Sequence, residues 1–259
     1  MSISKKNTDS SVWFAKPGES YDGGELNVFP EKSPALRQLL QDNSTLILQD
    51  LNRVLLNTNA FASFPDSGLQ YPAGSWSKLV LKVWGVENPK ILHQFSSLSR
   101  CLAEYPEITS MFISRLEGGS RIMAHSGETN TVIRIHLGLS IPDEDAELCG
   151  IRVGDNTYFW KEGESFAFLD ALEHEAWNES SGDRYILIVD ILRDEFKGSF
   201  SNICTRIVLN QVIFGLLHKI GLKSLVKPAS TILKYLVTPF WPLFKLGQWI
   251  QSKYGLIRL

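Results

Sequence analysis

The stretch TVIRIHLGLSI, residues 131–141, decides the fold. Its odd positions, Ile133, Ile135, Leu137, Leu139 and Ile141, are apolar, and Arg134, His136, Gly138 and Ser140 fall between them. A period of two is the pattern of a strand, and it sets Arg134 and His136 on one face. RYILIVD, residues 184–190, alternates in the same way, with Arg184, Ile186, Ile188 and Asp190 on one side. Turn signals recur at Glu117-Gly118-Gly119-Ser120, Pro142-Asp143, Gly154-Asp155-Asn156, Glu162-Gly163 and Ser181-Gly182. Short strands at this spacing predict a β-sandwich, jelly roll or barrel from about residue 110 onward.

Upstream the rhythm is helical. Ser33-Pro34 reads as an N-cap followed by proline at the first helical position. Behind it Leu36, Leu39, Leu40, Leu46, Leu48, Leu51, Val54 and Leu55 fit one or two amphipathic helices, with a break at Asn43-Ser44. A short helix is expected across Ser96–Tyr105, stopped by Pro106.

Composition sets outer limits. The chain has 259 residues, a 44% hydrophobic share and a net charge of −2, which suits one large domain or a domain with an appendage. Cys101, Cys149 and Cys204 are odd in number and form no CxxC pair, so neither a disulfide framework nor a zinc knuckle is suggested. The opening MSISKKNTDSS has no apolar h-region, and a reducing, cytoplasmic setting is expected, with peripheral contact to the inner face of a membrane as an extension. Charge is split: residues 196–259 hold nine Lys/Arg and no Asp or Glu, giving about −11 over 1–195 and +9 beyond by formal count. Three parts follow: a flexible N-terminus over 1–20, a domain over 21–195 and a basic amphipathic helical tail over 196–259. The tail has no uncharged run of the ~18–20 residues that span a bilayer. Its lysines interleaved with Trp241 and Trp249 suit a headgroup interface across 204–259, with barrel capping or dimerisation as the other readings. No nucleic-acid module accompanies the charge.

Five histidines exist, His93, His125, His136, His174 and His218. Two near strand ends could start a metal site, since neutral imidazole suits Fe, Zn, Cu and Ni. Arginine on a barrel strand's polar face is costly unless an anion meets it. For Arg184 that partner is either a bidentate carboxylate ligand or an ion pair with Asp183, Glu175 or Asp190.

SRLEGGSRIMAHSG (114–127), TNTVIRIHLGLSIP (129–142) and FLDALEHEAWNESSGDRYILIVD (168–190) together resemble the aspartyl/asparaginyl β-hydroxylase family. The resemblance implies a double-stranded β-helix, jelly-roll and cupin-like, and a dioxygenase that uses Fe(II), 2-oxoglutarate and O2. It implies iron held by His125 and His174 alone, with Gly127 where a carboxylate ligand would otherwise stand. It further implies Arg184 and Ser114 on the distal carboxylate of 2-oxoglutarate, and Arg134 and His136 on the proximal one. The implied reaction is hydroxylation at Cβ of an aspartyl or asparaginyl residue, in a peptide or tethered to a carrier protein. Alternatives are hydroxylation of a lipid acyl chain at a membrane surface, or halogenation at the vacant ligand position. Two departures stand out: FLDA supplies a single acid, Asp170, before His174, and ILRDEF follows IVD where a proline-containing segment is common.

Overall fold

The computed structural model describes residues 11–15, 20–23, 33–57, 60–64, 67–142, 146–219, 221, 242–243, 245–248 and 250–251. Five continuous α-helices and twelve strands carry the architecture. The helices are α1 (Pro34–Asp42), α2 (Ser44–Asn57), α3 (Pro89–Leu92), α4 (Ser96–Glu104) and α5 (Phe200–Lys219). The strands are β1 (Ala62–Ser63), β2 (Gln70–Tyr71), β3 (Trp76–Val83), β4 (Val86–Glu87), β5 (Ile108–Leu116), β6 (Ser120–His125), β7 (Val132–Ser140), β8 (Cys149–Val153), β9 (Asn156–Phe159), β10 (Ser165–Leu169), β11 (His174–Asn178) and β12 (Arg184–Leu192).

They form two antiparallel sheets. The larger runs β1-β3-β5-β12-β7-β10, with β4 on the edge of β3, and the smaller runs β2-β6-β11-β8-β9. The larger sheet has two faces with different duties. One face packs Leu79, Leu81, Met111, Ile113, Ile133, Ile135, Leu137, Leu139, Leu187 and Val189 against Leu36, Leu40, Ile47, Leu51 and Val54 of α1 and α2, and Leu98 and Cys101 of α4. The other looks toward the smaller sheet, where Trp76, Phe112, Ile122, Ile151, Trp160, Phe168, Ile186 and Ile188 make a second core.

This resolves the alternation in 131–141. The apolar side of β7 is covered by helices, so its polar side, with Arg134 and His136, lies between the sheets rather than in solvent. An antiparallel sheet with one wet face would expose such residues; here both faces are enclosed, and the polar one needs partners.

The expected helix break and the helix over 96–104 are present. The cap expectation fails: Ser33 adopts a left-handed conformation (φ 50°, ψ 52°) and its side chain makes no capping hydrogen bond. An N-cap oxygen reaches the helix only from an extended backbone, so helix entry is left to Pro34 and to Arg37 N–H on the Ser33 carbonyl.

Both ends of the chain reach the β-domain. Trp13 N–H donates to Asn130 Oδ1 at 2.8 Å, and Ala15 N–H to the Glu128 carbonyl at 2.9 Å, so residues 11–15 are anchored inside the 1–20 segment expected to be loose. Ile203, Cys204 and Ile207 of α5 are buried with Trp84, Val132, Leu192 and Phe196. The charge boundary at 196 is therefore not the edge of packing. Trp241 and Trp249 lie outside the described residues. All three cysteines are free and buried. No helix among the described residues is long and apolar enough to cross a membrane.

Candidate active site

Strand pairing places the histidines. β6 ends at His125 and β11 begins at His174, and the two residues are register partners. Their ring centroids lie 4.3 Å apart. His125 Nδ1 is 2.7 Å from the Met123 carbonyl and His174 Nδ1 is 2.8 Å from the Leu172 carbonyl. A carbonyl only accepts, so Nδ1 carries the proton in each ring and Nε2 keeps its lone pair. Burial pulls both imidazoles below the ordinary histidine range, His174 furthest, which keeps them neutral. Two neutral imidazoles with fixed tautomers suit a borderline transition metal. Among the described residues no group of three His, Cys, Asp or Glu side chains could hold a metal.

The glycine of HSG has a structural cause. A Cβ on Gly127 would run into the Asp170 carboxylate and come within 2.7 Å of the Asp170 carbonyl. Gly127 N–H also donates to that carbonyl at 2.8 Å. The volume that a side chain at 127 would use is occupied by Asp170, whose Oδ1 lies 3.6 Å from His174 Nε2. Gly138 is constrained as well, because a Cβ there would collide with the Lys161 backbone carbonyl. Glu128 is engaged elsewhere: Trp84 Nε1 and Gln211 Nε2 each donate to it at 2.7 Å.

The arginines divide sharply. Arg134 sits opposite Asp190 in the β7–β12 register and donates to it through Nε and Nη2 at 2.7 and 2.9 Å, while Nη1 meets Asp170 at 2.5 Å. Burial opposes its charge, but Asp170 and Asp190 outweigh that and raise its pKa. Arg184 has no such company. It is 1% exposed, and its Nε and Nη1 are without a hydrogen-bond partner. The three carboxylates that could have paired with it are taken: Asp183 by Arg115, Glu175 by Arg152 and Asp190 by Arg134. Its guanidinium lies 4.3 Å over the Trp160 ring, and burial pushes its pKa down to about 10.

Two more polar groups face the same space. Both ring nitrogens of His136 are buried without a partner, among Trp160, Phe166 and Phe168, and burial drives its pKa well down. Ser114 Oγ accepts from Trp76 Nε1 at 3.0 Å, which leaves its own O–H free to donate inward. His125, His174, Arg134, His136, Arg184 and Ser114 all line one cavity, with Trp76, Phe112, Ile151, Ile186 and Ile188 as apolar wall. Asp170 and Asp190 were not singled out from sequence as site residues. The i, i+4 spacing of Asp170 and His174 was a usable signal; for Asp190 the signal needed the strand register.

The fold and site define a jelly roll whose cavity is lined by two paired histidines, a third histidine and two arginines. The chain belongs to the aspartyl/asparaginyl β-hydroxylase family, whose model matches residues 41–194. The ornithine lipid ester-linked acyl 2-hydroxylase of Rhizobium tropici is 32% identical over 151 residues, 57% of this chain and 53% of that protein. The human aspartyl/asparaginyl β-hydroxylase is 35% identical over 127 residues, 47% of this chain and 16% of that protein. The chain thus spans about half or less of these relatives. A prolyl hydroxylase from Trichoplax adhaerens, solved with a hypoxia inducible factor oxygen degradation domain peptide fragment, aligns over 65% of this chain and 94% of that chain, with a TM-score of 0.43 and 12% identity.

Proposed function

We propose that the protein is an Fe(II)- and 2-oxoglutarate-dependent dioxygenase that hydroxylates Cβ of an aspartyl or asparaginyl residue, in a peptide or tethered to a carrier protein. The observation that carries this reading is Arg184, a buried guanidinium with unpaired Nε and Nη1 in a cavity that also holds the two histidines. An unpaired buried charge costs several kcal/mol, and a carboxylate ligand removes that cost through a forked pair of hydrogen bonds.

The donor set fits both groups. His125 and His174 would hold iron through Nε2. Arg184 and the Ser114 hydroxyl would bind the distal carboxylate of 2-oxoglutarate, and His136, neutral and unpartnered, would donate one N–H to the proximal end. Arg134 makes two hydrogen bonds to Asp190 and an ion pair with Asp170, and its remaining N–H groups would meet the same carboxylate. When bound, iron, 2-oxoglutarate and O2 supply the oxidation that replaces a C–H by C–OH and releases succinate and CO2. The chain's part is to fix the ligand tautomers, orient the co-substrate by its two ends and keep water out with Trp76, Phe112, Ile186 and Ile188. Asp170 supports hydroxylation over halogenation, because its carboxylate fills the place beside Gly127 and would repel a halide there. The test is succinate release from the iron-loaded protein with capped aspartate, capped asparagine and peptides containing either; release that no such acceptor stimulates contradicts the reading.

A second reading has its own support. The Rhizobium relative acts on a lipid acyl chain by its name, and residues 196–259 carry nine basic and no acidic side chains. Binding of the full chain to vesicles that rises with anionic lipid and falls with salt, together with acyl-dependent succinate release, would favour a lipid acceptor at a membrane surface.

A further inference from the structure

Lys78 is a cation that the iron and co-substrate reading leaves without work. On β3 it shares a face with Trp76, whose ring lines the cavity, and it lies opposite Ser114 of β5. Its Nζ is 4.4 Å from the ring centroids of Phe64 and Trp76 and 4.5 Å from that of Phe112. The same Trp76 ring has its centroid 6.4 Å from that of His125. The guanidinium of Arg134 approaches Phe112 to 5.8 Å, so two cations share that ring.

Three aromatic faces stabilise an ammonium, but they accept none of its three N–H bonds in the manner of an oxygen. Among the described residues Lys78 has no carboxylate at ion-pairing distance and no hydrogen-bond acceptor. The acids that attract it from farther off are Asp190, Glu128 and Asp170. Each is already committed: Asp170 and Asp190 to Arg134, and Glu128 to Trp84 and Gln211. Burial, reinforced by Arg134, pulls the Lys78 pKa down to about 7, the mark of an ammonium short of an anion.

We infer that Lys78 selects the acceptor: its ammonium binds the side-chain carboxylate, so that the site takes an aspartyl residue in preference to an asparaginyl one. This rests on the peptide reading above and refines it. In an aspartyl acceptor the carboxylate is one bond from Cβ, so a Cβ turned toward the histidines puts the carboxylate beside the Trp76–Phe112 wall that leads to Lys78. A carboxylate there meets an unpaired cation with two accepting oxygens. An amide offers one oxygen, carries no charge and turns an NH2 donor toward the ammonium.

The test compares N-acetyl-aspartate methylamide with N-acetyl-asparagine methylamide on the iron-loaded full chain. Succinate release should favour aspartate at least about tenfold in kcat/KM, the scale of one charge-assisted hydrogen bond. Lys78→Gln should abolish that preference and Lys78→Arg should keep it. The ratio is read within one protein, so partial loss of fold or iron affects both acceptors alike. In parallel, Mn(II)-loaded protein is treated with acetic anhydride and acetylation of Lys78 is followed by mass spectrometry. Capped aspartate should slow that modification about tenfold and capped asparagine should not. An unchanged aspartate-to-asparagine ratio in Lys78→Gln overturns the assignment while leaving the acceptor reading in place. Protection of Lys78 by the carboxylate without turnover of either acceptor supports Lys78 as an anion site and overturns the acceptor reading. Absence of both preference and protection overturns the assignment.

Discussion

At the residue scale, the chemistry of the cavity is set by which polar atoms have partners and which do not. His125 and His174 each give Nδ1–H to a carbonyl two residues back, at 2.7 and 2.8 Å, and so present Nε2 by construction. Alanine at either should abolish metal binding with the fold retained, read as metal stoichiometry after dialysis beside a circular dichroism spectrum; a full equivalent of iron in His174→Ala would contradict the ligand assignment. Gly127 gives a sharper prediction. Because Asp170 fills the space of a 127 side chain, Gly127→Asp should lower stability by roughly 1–3 kcal/mol, the ordinary cost of overpacking, and should not tighten metal binding. Lys78 carries a pH signature. Its pKa is about 7 folded against 10.5 for a free lysine, so the unfolded chain binds more protons between those values. Stability then rises with pH across that window and is lost as pH falls toward 7. Arg134, Asp190, Glu128 and Asp170 act on it electrostatically, and the difference in Tm between wild type and Lys78→Met should shrink from pH 7 to pH 10. A constant difference would place the Lys78 pKa near its ordinary value.

At the element scale, β7 and β12 form the frame of the site, and they are also where sequence reasoning reached furthest. Alternation in 131–141 and 184–190 identifies both strands and which residues share a face, because one face of each strand packs on helices and must be apolar. It does not identify partners across the sheet. From sequence Asp190 is a candidate partner for Arg184, three repeats of the pleat away on its own strand, whereas the register sets it against Arg134. Lys78 was hidden for a related reason: in WSKLVLK only Leu79 and Leu81 declare a buried face, and the opposite face looks solvated until the second sheet closes over it. The Ser33 cap misled because residue type at an N-cap does not fix φ. The Arg134–Asp190 pair is nearly dry, with side chains 17% and 2% exposed. Asp190→Asn leaves the buried Arg134 with Asp170 as its remaining carboxylate and weakens two hydrogen bonds, so it should cost about 1–3 kcal/mol in urea unfolding. A loss below 1 kcal/mol would show the pair to be solvated.

At the scale of the whole molecule, the two sheets enclose the cavity, the N-terminal helices back the outer face of the larger sheet, and α5 packs on Trp84, Val132 and Leu192. HSG, IRIHLGL and HEAWN carry four of the six expected site residues, and all six line one cavity; the partner of each residue, and the reason for Gly127, required the packed structure. The tail shows the opposite limit. Its charge marks it clearly, yet Ile203, Cys204 and Ile207 pack onto Trp84, Val132 and Leu192, and Gln211 holds Glu128 three residues beyond His125. Deleting 204–259 should therefore expose apolar surface and lower Tm; an unchanged Tm would make the tail independent of the domain. The central claim, that two histidines and an unpaired arginine form one iron and 2-oxoglutarate site, has a direct measurement. Anaerobic calorimetric titration of 2-oxoglutarate into the Fe(II)-loaded full chain should give one site per protein. Arg184→Lys should weaken it at least about tenfold, since lysine keeps the charge and loses the fork, and His174→Ala should abolish it. Binding of equal strength in the Arg184→Lys protein, or binding that survives His174→Ala, would contradict the account.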